Sequence, residues 1–208
     1  MEEIIQLLIY LHAALGGVAL FAGLVSLIAK KGMLVHKRAG ITFFYSMMLS
    51  GLIAMLVATL PGHRNAFLFA IGIFSLYFVL TGYRAINFKK KDVNLKADHW
   101  ISWIMILTSV LMIFLPILVS QSINIILVVF ALVGLWFAIR DLMLYRKPSE
   151  LKSKWLAQHL SKMLGGYISA TTAFVVVNNF FGGIYGWFVP GLVGTGVIIY
   201  WLRKVSPK

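Results

Sequence analysis

The sequence predicts an all-α integral membrane protein, a bundle of seven transmembrane helices in one domain over residues 1–208. Hydrophobic residues make up 61% of the chain and charged residues 12%, and the mean hydropathy is +0.91. Such a chain has too few polar side chains to cover a water-soluble globule. The apolar residues form seven runs with basic connections between them. Because membrane proteins concentrate Lys and Arg in such connections, the net charge of +13 needs no nucleic-acid partner, and we expect none.

Each apolar run approaches or exceeds the roughly 20 residues that cross a bilayer core as a helix. The predicted spans are 4–29, 40–60, 66–83, 99–119, 123–139, 155–177 and 187–202. The third, fifth and seventh runs are short. A six-helix bundle with one re-entrant segment is therefore the alternative to seven spans.

The basic residues predict the orientation. All but two of the 19 Lys and Arg residues fall in alternate connections and in the C-terminal tail, the exceptions being Arg64 and Lys162. The remaining connections, 61–65, 120–122 and 178–183, are short and nearly uncharged. Since basic loops stay in the cytoplasm, we expect the N-terminus outside and the C-terminus inside.

Three histidines divide helices two to seven into three similar hairpins. His36, His99 and His159 are 63 and 60 residues apart, and each follows a basic connection and precedes an apolar run. A serine stands ten residues after each histidine, at Ser46, Ser109 and Ser169. This pattern is typical of an internal threefold repeat. The alternative is a period that only reflects the thickness of the bilayer.

The same three histidines are candidate ligands. His36, His99 and His159 are all predicted at the cytoplasmic surface, where they could converge on one metal ion or one haem. Imidazole also suits the membrane interface, where it can hydrogen-bond to headgroups, water or a loop carbonyl. Both interpretations are left open by the sequence.

His12 is predicted at a different depth, about 12 Å along the first helix from its outer end at 1.5 Å per residue. A polar ring inside the membrane needs a partner, so it is a functional candidate by default. Gly16 and Gly17 would let a macrocycle or a neighbouring helix approach the same face. Met55 and Met112 are the candidate second ligands of this separate outer site.

Charged residues inside the spans are predicted to be few. Lys162 is expected to extend to the inner surface; if it points inward instead, it would favour an anionic ligand beside His159. No Asp or Glu falls inside a predicted span, and Asp98 and Asp141 are assigned to inner loops. This argues against a carboxylate proton relay and against most coupled transporters.

The first quarter of the chain carries a spaced motif, Leu11-His12-x-x-x-Gly16, Ala19-Leu20-x-x-Gly23 and Lys31-Gly32-x-x-x-His36-x-x-x-Gly40. It resembles a family of small, uncharacterised bacterial membrane proteins classed as a domain of unknown function. The segment of His159, Gly165, Gly166 and Tyr167 is similar to the last conserved block of that family. The resemblance implies a multi-pass protein of the bacterial inner membrane and brings no activity with it. A looser resemblance, to membrane b-type cytochromes, implies haem held by histidines of two helices.

The leading functional hypothesis is a histidine-ligated haem b or divalent transition metal in a redox or cofactor-handling membrane protein. Its candidate cofactor-binding residues are His12, His36, His99 and His159, of which the last three would bind a metal. One alternative is a small carrier or channel for an anionic solute or lipid, and another is a non-catalytic accessory subunit. The expected partners are the lipid bilayer with anionic headgroups at the cytoplasmic face, and a second copy or another membrane protein. Whether the protein is an enzyme is left open.

Overall fold

The computed structural model describes residues 2–205, and within this range every regular element is helical. Lys208, one of the basic residues of the tail, lies outside the described residues. The α-helices are α1 (Glu2–Ile28), α2 (Leu34–Val57), α3 (Ala66–Arg84), α4 (Lys96–Ser120), α5 (Ile125–Tyr145), α6 (Pro148–Ser153), α7 (Trp155–Val177) and α8 (Tyr185–Val205). A short 3-10 helix, Ala85–Lys89, continues α3.

Seven of these helices are long and apolar enough to cross a membrane, and only α6 is not. The third, fifth and seventh of the long helices, α3, α5 and α8, contain 19, 21 and 21 residues. At 1.5 Å per residue, each of them reaches across the hydrocarbon core. The seven-helix prediction is confirmed, and the shorter runs need no re-entrant segment.

Two helices extend well beyond their predicted apolar runs. α2 begins at Leu34, six residues before the predicted span, so His36 lies in its first turn. α5 ends at Tyr145, six residues after the predicted span, so Asp141 lies inside the helix. An apolar run ends at its first charged residue, whereas the helical hydrogen bonds of the backbone continue through charged residues that pair inside the bundle or face the headgroups. The predicted boundaries were wrong at these two points for that reason.

Each pair of consecutive long helices except α5 and α7 packs closely together, and the long helices run alternately up and down. The connections rich in Lys and Arg therefore share one end of the bundle, here called the basic end. The connections 58–65, 121–124 and 178–184 share the opposite end. There, the Asn65 and Asn124 side chains cap α3 and α5 by accepting hydrogen bonds from the Leu68 and Leu127 amides, at 3.0 and 3.1 Å.

Helix α3 is the centre of the bundle. It packs against α2, α4, α5 and α7, and all residues from Phe74 to Val79 are buried. Phe74 and Phe78 pack edge to face at 4.9 Å between ring centroids, and they join Tyr77, Met105 and Ala138 in one core cluster. By contrast, only Gly186 and Pro190 are buried in α8, which lies at the periphery.

The contact between α3 and α7 is especially close near the basic end, because glycines face it from both helices. A Cβ atom at Gly82 would lie 2.8 Å from the Met163 backbone nitrogen, and one at Gly165 would lie 2.5 Å from the Phe78 ring. Gly166 contacts Val79 in the same way. Small residues allow two membrane helices to approach and gain van der Waals contact. We call this contact the α3–α7 seam.

Candidate ligand cavity and buried charge centre

His12 is held by a reciprocal pair of hydrogen bonds between α1 and α2. The His12 Nδ1–H donates to the Ser50 carbonyl at 3.0 Å, and the Ser50 hydroxyl donates to the His12 carbonyl at 2.9 Å. The Ser50 hydroxyl oxygen also lies 2.9 Å from Nδ1. In the tautomer with its only proton on Nδ1, the ring has a lone pair on Nε2. Histidines that bind metals or haem iron are commonly oriented in this manner by a carbonyl.

His12 lines a cavity of about 520 Å³ between α1, α2, α3 and α7, here called the His12 cavity. Ligand pockets in proteins are typically about 300–1,000 Å³ and mostly apolar. Small residues of three helices create the space, since Gly51, Ala54, Gly72 and Ala173 all line it. The cavity lies in the half of the bundle away from the basic end.

Three polar residues of the connection between α2 and α3 also line the His12 cavity, namely His63, Arg64 and Asn65. The His63 Nε2 lies 3.2 Å from the Glu2 carboxylate, and His63 is only half-buried. The sequence predicts His63 in an outer loop, at a different depth from His12, and so does not suggest it as a second ligand. The fold brings both histidines to one cavity. Deeper in the cavity, the hydroxyls of Ser75 and Ser169 bond to each other at 2.5 Å.

The methionines proposed as second ligands of His12 do not fill that role in this arrangement. Met55 packs against Gly72 and is not among the lining residues, and Met112 is buried between α4 and α5 with Leu127 and Ala131. Met112 is likewise not among the residues that line the His12 cavity. Met55 lies next to the cavity wall, since Gly72 lines the cavity.

His36, His99 and His159 each bond to a different backbone carbonyl. The Nδ1 of His36 donates to Ser26 at 3.0 Å, that of His99 to Leu95 at 2.9 Å, and that of His159 to Gly82 at 2.9 Å. Among residues 2–205, no group of three or more His, Cys, Asp or Glu side chains is placed to hold a metal ion. The geometry thus gives no support to one metal shared by these three histidines.

A buried charge centre joins α3, α5 and α7. The Lys162 ammonium donates to Asp141 Oδ2 at 2.5 Å and to the Tyr77 hydroxyl at 2.5 Å, and the Tyr77 hydroxyl donates to the same Asp141 oxygen at 2.5 Å. The Lys162 and Asp141 side chains are 1% and 4% exposed. The Lys162 Nζ also lies 4.3 Å from the Tyr77 ring centroid and 4.9 Å from that of Phe137.

This centre corrects two predictions. Lys162 does not extend to the inner surface but points into the bundle, because its ammonium finds a carboxylate there. Asp141 is not a loop residue but lies within the span Ile125–Tyr145. The inward Lys162 does sit near the histidine-bearing turn of α7, but its anionic partner is Asp141 rather than a ligand. The prediction that the spans contain no carboxylate was wrong. The argument against coupled transporters rested on that prediction and no longer holds.

A second ion pair lies next to the first, towards the basic end. Arg84 donates from Nε and Nη2 to the two carboxylate oxygens of Asp98, at 2.8 and 2.6 Å. The Asp98 side chain is fully buried. The apolar runs predict both residues in the basic connections. Instead they close the last turn of α3 onto the first turn of α4.

The sequence did contain a signal for Asp141. Ala131, Gly134, Ala138 and Asp141 follow each other at intervals of three or four residues and are all buried on one face of α5. A carboxylate that continues a stripe of small residues is expected to face a neighbouring helix rather than lipid. The Tyr77 hydroxyl offers no such signal, because a tyrosine in an apolar helix is compatible with many surroundings.

No protein-family model matches the sequence, and comparisons with curated proteins and with solved structures find no match. The resemblances drawn from the motifs of the first quarter and from the helix-end histidines therefore remain predictions.

Proposed function

We propose that the protein binds haem b in the His12 cavity, where the His12 imidazole would hold the haem iron. The observation that carries this proposal is that His12, whose Nδ1 is bonded to the Ser50 carbonyl, lines an apolar cavity of about 520 Å³ in the membrane-spanning bundle. A purely structural role, in which His12 links two helices, would account for these hydrogen bonds. It would not account for the cavity beside the ring.

The remaining residues of the cavity suit such a ligand. His63 can supply a second nitrogen if its contact with Glu2 opens, and that contact is exposed and weak. Arg64 provides a cation for a propionate or another acidic group. A porphyrin brings four nitrogens of its own, so it needs only one or two protein ligands. A bare divalent metal needs more, which is why the proposal favours haem over a metal held by protein side chains alone.

The proposed setting is a bacterial inner membrane, with the N-terminus outside and the basic end in the cytoplasm. In this orientation the connection between α2 and α3, which contributes His63, Arg64 and Asn65 to the His12 cavity, lies outside. A reporter fused after residue 208 tests the orientation: green fluorescent protein should fluoresce, and alkaline phosphatase should be inactive. The internal threefold repeat and an accessory or oligomeric role remain further proposals, since no contact described above depends on them.

The test of the haem proposal uses the protein purified without a histidine tag. We expect a Soret band with about one haem per chain, either directly or after addition of hemin. Ala54→Trp fills the cavity and should abolish the band, whereas Ala13→Trp, on an exposed position of α1, should retain it. No Soret band with wild-type protein after hemin addition, or equal binding by both variants, would refute the proposal.

A second candidate function is a proton-coupled carrier, and the observation that favours it is the Tyr77–Asp141–Lys162 centre. Intramembrane carboxylates and lysines are typical of proton relays. The centre and the His12 cavity share α3 and α7, so a ligand that separates these helices would also disturb the ion pair. The measurement is ligand-driven proton uptake in proteoliposomes. Asp141→Asn should abolish proton movement if the protein is a carrier, and haem binding without proton movement would reject this function.

A further inference from the structure

A separate pocket of about 150 Å³ lies at the basic end, where α5, α6 and α7 meet. Its polar residues are Arg140, Lys147, Glu150, Lys154 and Gln158, and Met143 contributes an apolar side. None of these residues lines the His12 cavity or takes part in the buried charge centre. The inference that follows is independent of the proposed function.

The pocket already contains one carboxylate, that of its own residue Glu150. One Glu150 oxygen lies 2.9 Å from the Lys154 ammonium, and the other lies 3.4 Å from that of Lys147. The hydrogen bonds from Lys154 and Lys147 lower the pKa of the Glu150 carboxyl below its usual value. All three side chains are well exposed, so the carboxylate can leave at little cost. With three cations against one carboxylate, the pocket retains an excess of positive charge.

The pocket continues into a lipid-facing surface of α5. Trp136, Arg140 and Met143 follow at intervals of four and three residues, so they share one face of the helix. Trp136 and Met143 are 62% and 61% exposed, and the Arg140 guanidinium lies 5.6 Å from the Trp136 ring centroid. Tryptophan beside arginine at a helix end is typical of the membrane interface. The exposed apolar side chains of α5 therefore lie next to the basic pocket, as the acyl chains of a phospholipid lie next to its phosphate.

We propose that this pocket binds the headgroup phosphate of an anionic phospholipid, whose acyl chain lies along Trp136 and Met143. Basic pockets between transmembrane helices recognise anionic headgroups in this way. The net negative charge of an anionic headgroup neutralises the excess positive charge of the pocket. A zwitterionic headgroup does not, so the pocket should select the anionic lipid. Arg140 binds the phosphate from the α5 side. The phosphate also replaces the Glu150 carboxylate as the partner of the Lys147 and Lys154 ammonium groups.

The test is a lipid titration by native mass spectrometry of the full chain in detergent, with phosphatidylglycerol and phosphatidylcholine as probes. We expect one tightly bound phosphatidylglycerol, held about tenfold or more tightly than phosphatidylcholine. Equal binding of the two lipids would overturn the proposal. Inorganic phosphate is added as a competitor: if it displaces the lipid at equal concentration, the site binds a soluble phosphate and the lipid assignment is wrong.

The matched variants remove three charges each. Arg140→Gln/Lys147→Gln/Lys154→Gln should weaken phosphatidylglycerol binding about tenfold or more. The control, Lys37→Gln/Lys90→Gln/Lys91→Gln, neutralises three exposed residues of the same end outside the pocket and should bind normally. Equal losses in the two variants would mean diffuse attraction and would overturn a defined site. If the first triple variant does not fold, Arg140→Gln and Arg38→Gln form the corresponding single pair, with the same two outcomes.

Discussion

His12 is distinguished from the other membrane histidines by its surroundings rather than by its hydrogen bonds. His36, His99 and His159 also direct Nδ1 to a backbone carbonyl. That bond fixes the proton on Nδ1 in each of them, so it cannot by itself identify a ligand. What sets His12 apart is the cavity beside it. A histidine therefore supports a proposed ligand site only where a cavity lies beside its ring.

The Asp141–Lys162 pair gives the first prediction at the residue scale. Lys162→Met leaves the buried Asp141 carboxylate without its counter-ion and should destabilise the protein by about 3–5 kcal/mol. The double variant Lys162→Met/Asp141→Leu removes both charges and should lose much less. Thermal unfolding in detergent, followed by tryptophan fluorescence, measures both effects. Additive losses in the double variant would show that the two side chains do not interact.

The sequence could predict the positions of the histidines and the depth of His12, but not the partners of the charged residues. Lys162 and Asp141 are 21 residues apart and belong to different helices. Whether a lysine near a helix end extends to the surface or turns inward depends on a carboxylate in a neighbouring helix. Hydropathy contains no information about that neighbour, so the pairing required the three-dimensional structure.

At the scale of single elements, glycine determines how closely α3 approaches α7. Gly82 contacts the backbone of Met163, and backbone cannot move aside as a flexible side chain can. The approach also brings the Gly82 carbonyl to His159 at 2.9 Å. The α3–α7 seam therefore fixes both the packing of the central helix and the orientation of one histidine.

This arrangement predicts opposite effects for two glycine substitutions. Gly82→Ala should destabilise the bundle by about 1–3 kcal/mol, because its methyl group would force the two helices apart. A Cβ atom at Gly17 would have no atom of a neighbouring helix within 4 Å. Gly17→Ala should therefore be neutral or slightly stabilising, since alanine favours the helix. The midpoint of thermal unfolding compares them. A Gly82→Ala protein as stable as the wild type would mean that the seam is not tightly packed.

At the scale of the whole molecule, composition and charge predicted the seven membrane helices, because lipid requires long apolar helices whatever their function. The helix ends were less predictable, since α2 and α5 continue past their apolar runs. The His12 cavity could not be predicted at all. It arises where small residues of α2, α3 and α7 face one another, and that juxtaposition depends on the packing of helices distant in sequence.

Access to the His12 cavity gives a prediction for the whole bundle. The chain contains no cysteine, so single cysteines can be introduced without background. A cysteine at Ala54, which lines the cavity, should react with a membrane-impermeant maleimide added to intact cells. A cysteine at the fully buried Ala138 should react only after unfolding. Labelling at Ala54 only from the cytoplasmic side would reverse the proposed orientation, and no labelling from either side would mean that the cavity is closed.

The most direct test of the central claim is the affinity for hemin of His12→Ala compared with that of His159→Ala. Both histidines have Nδ1 bonded to a carbonyl, but only His12 lines the cavity. Absorbance titration of the purified proteins should show that His12→Ala binds hemin at least about tenfold more weakly than the wild type. His159→Ala should bind as the wild type does. Unchanged affinity in His12→Ala, or an equal loss in both variants, would contradict a haem site in the His12 cavity.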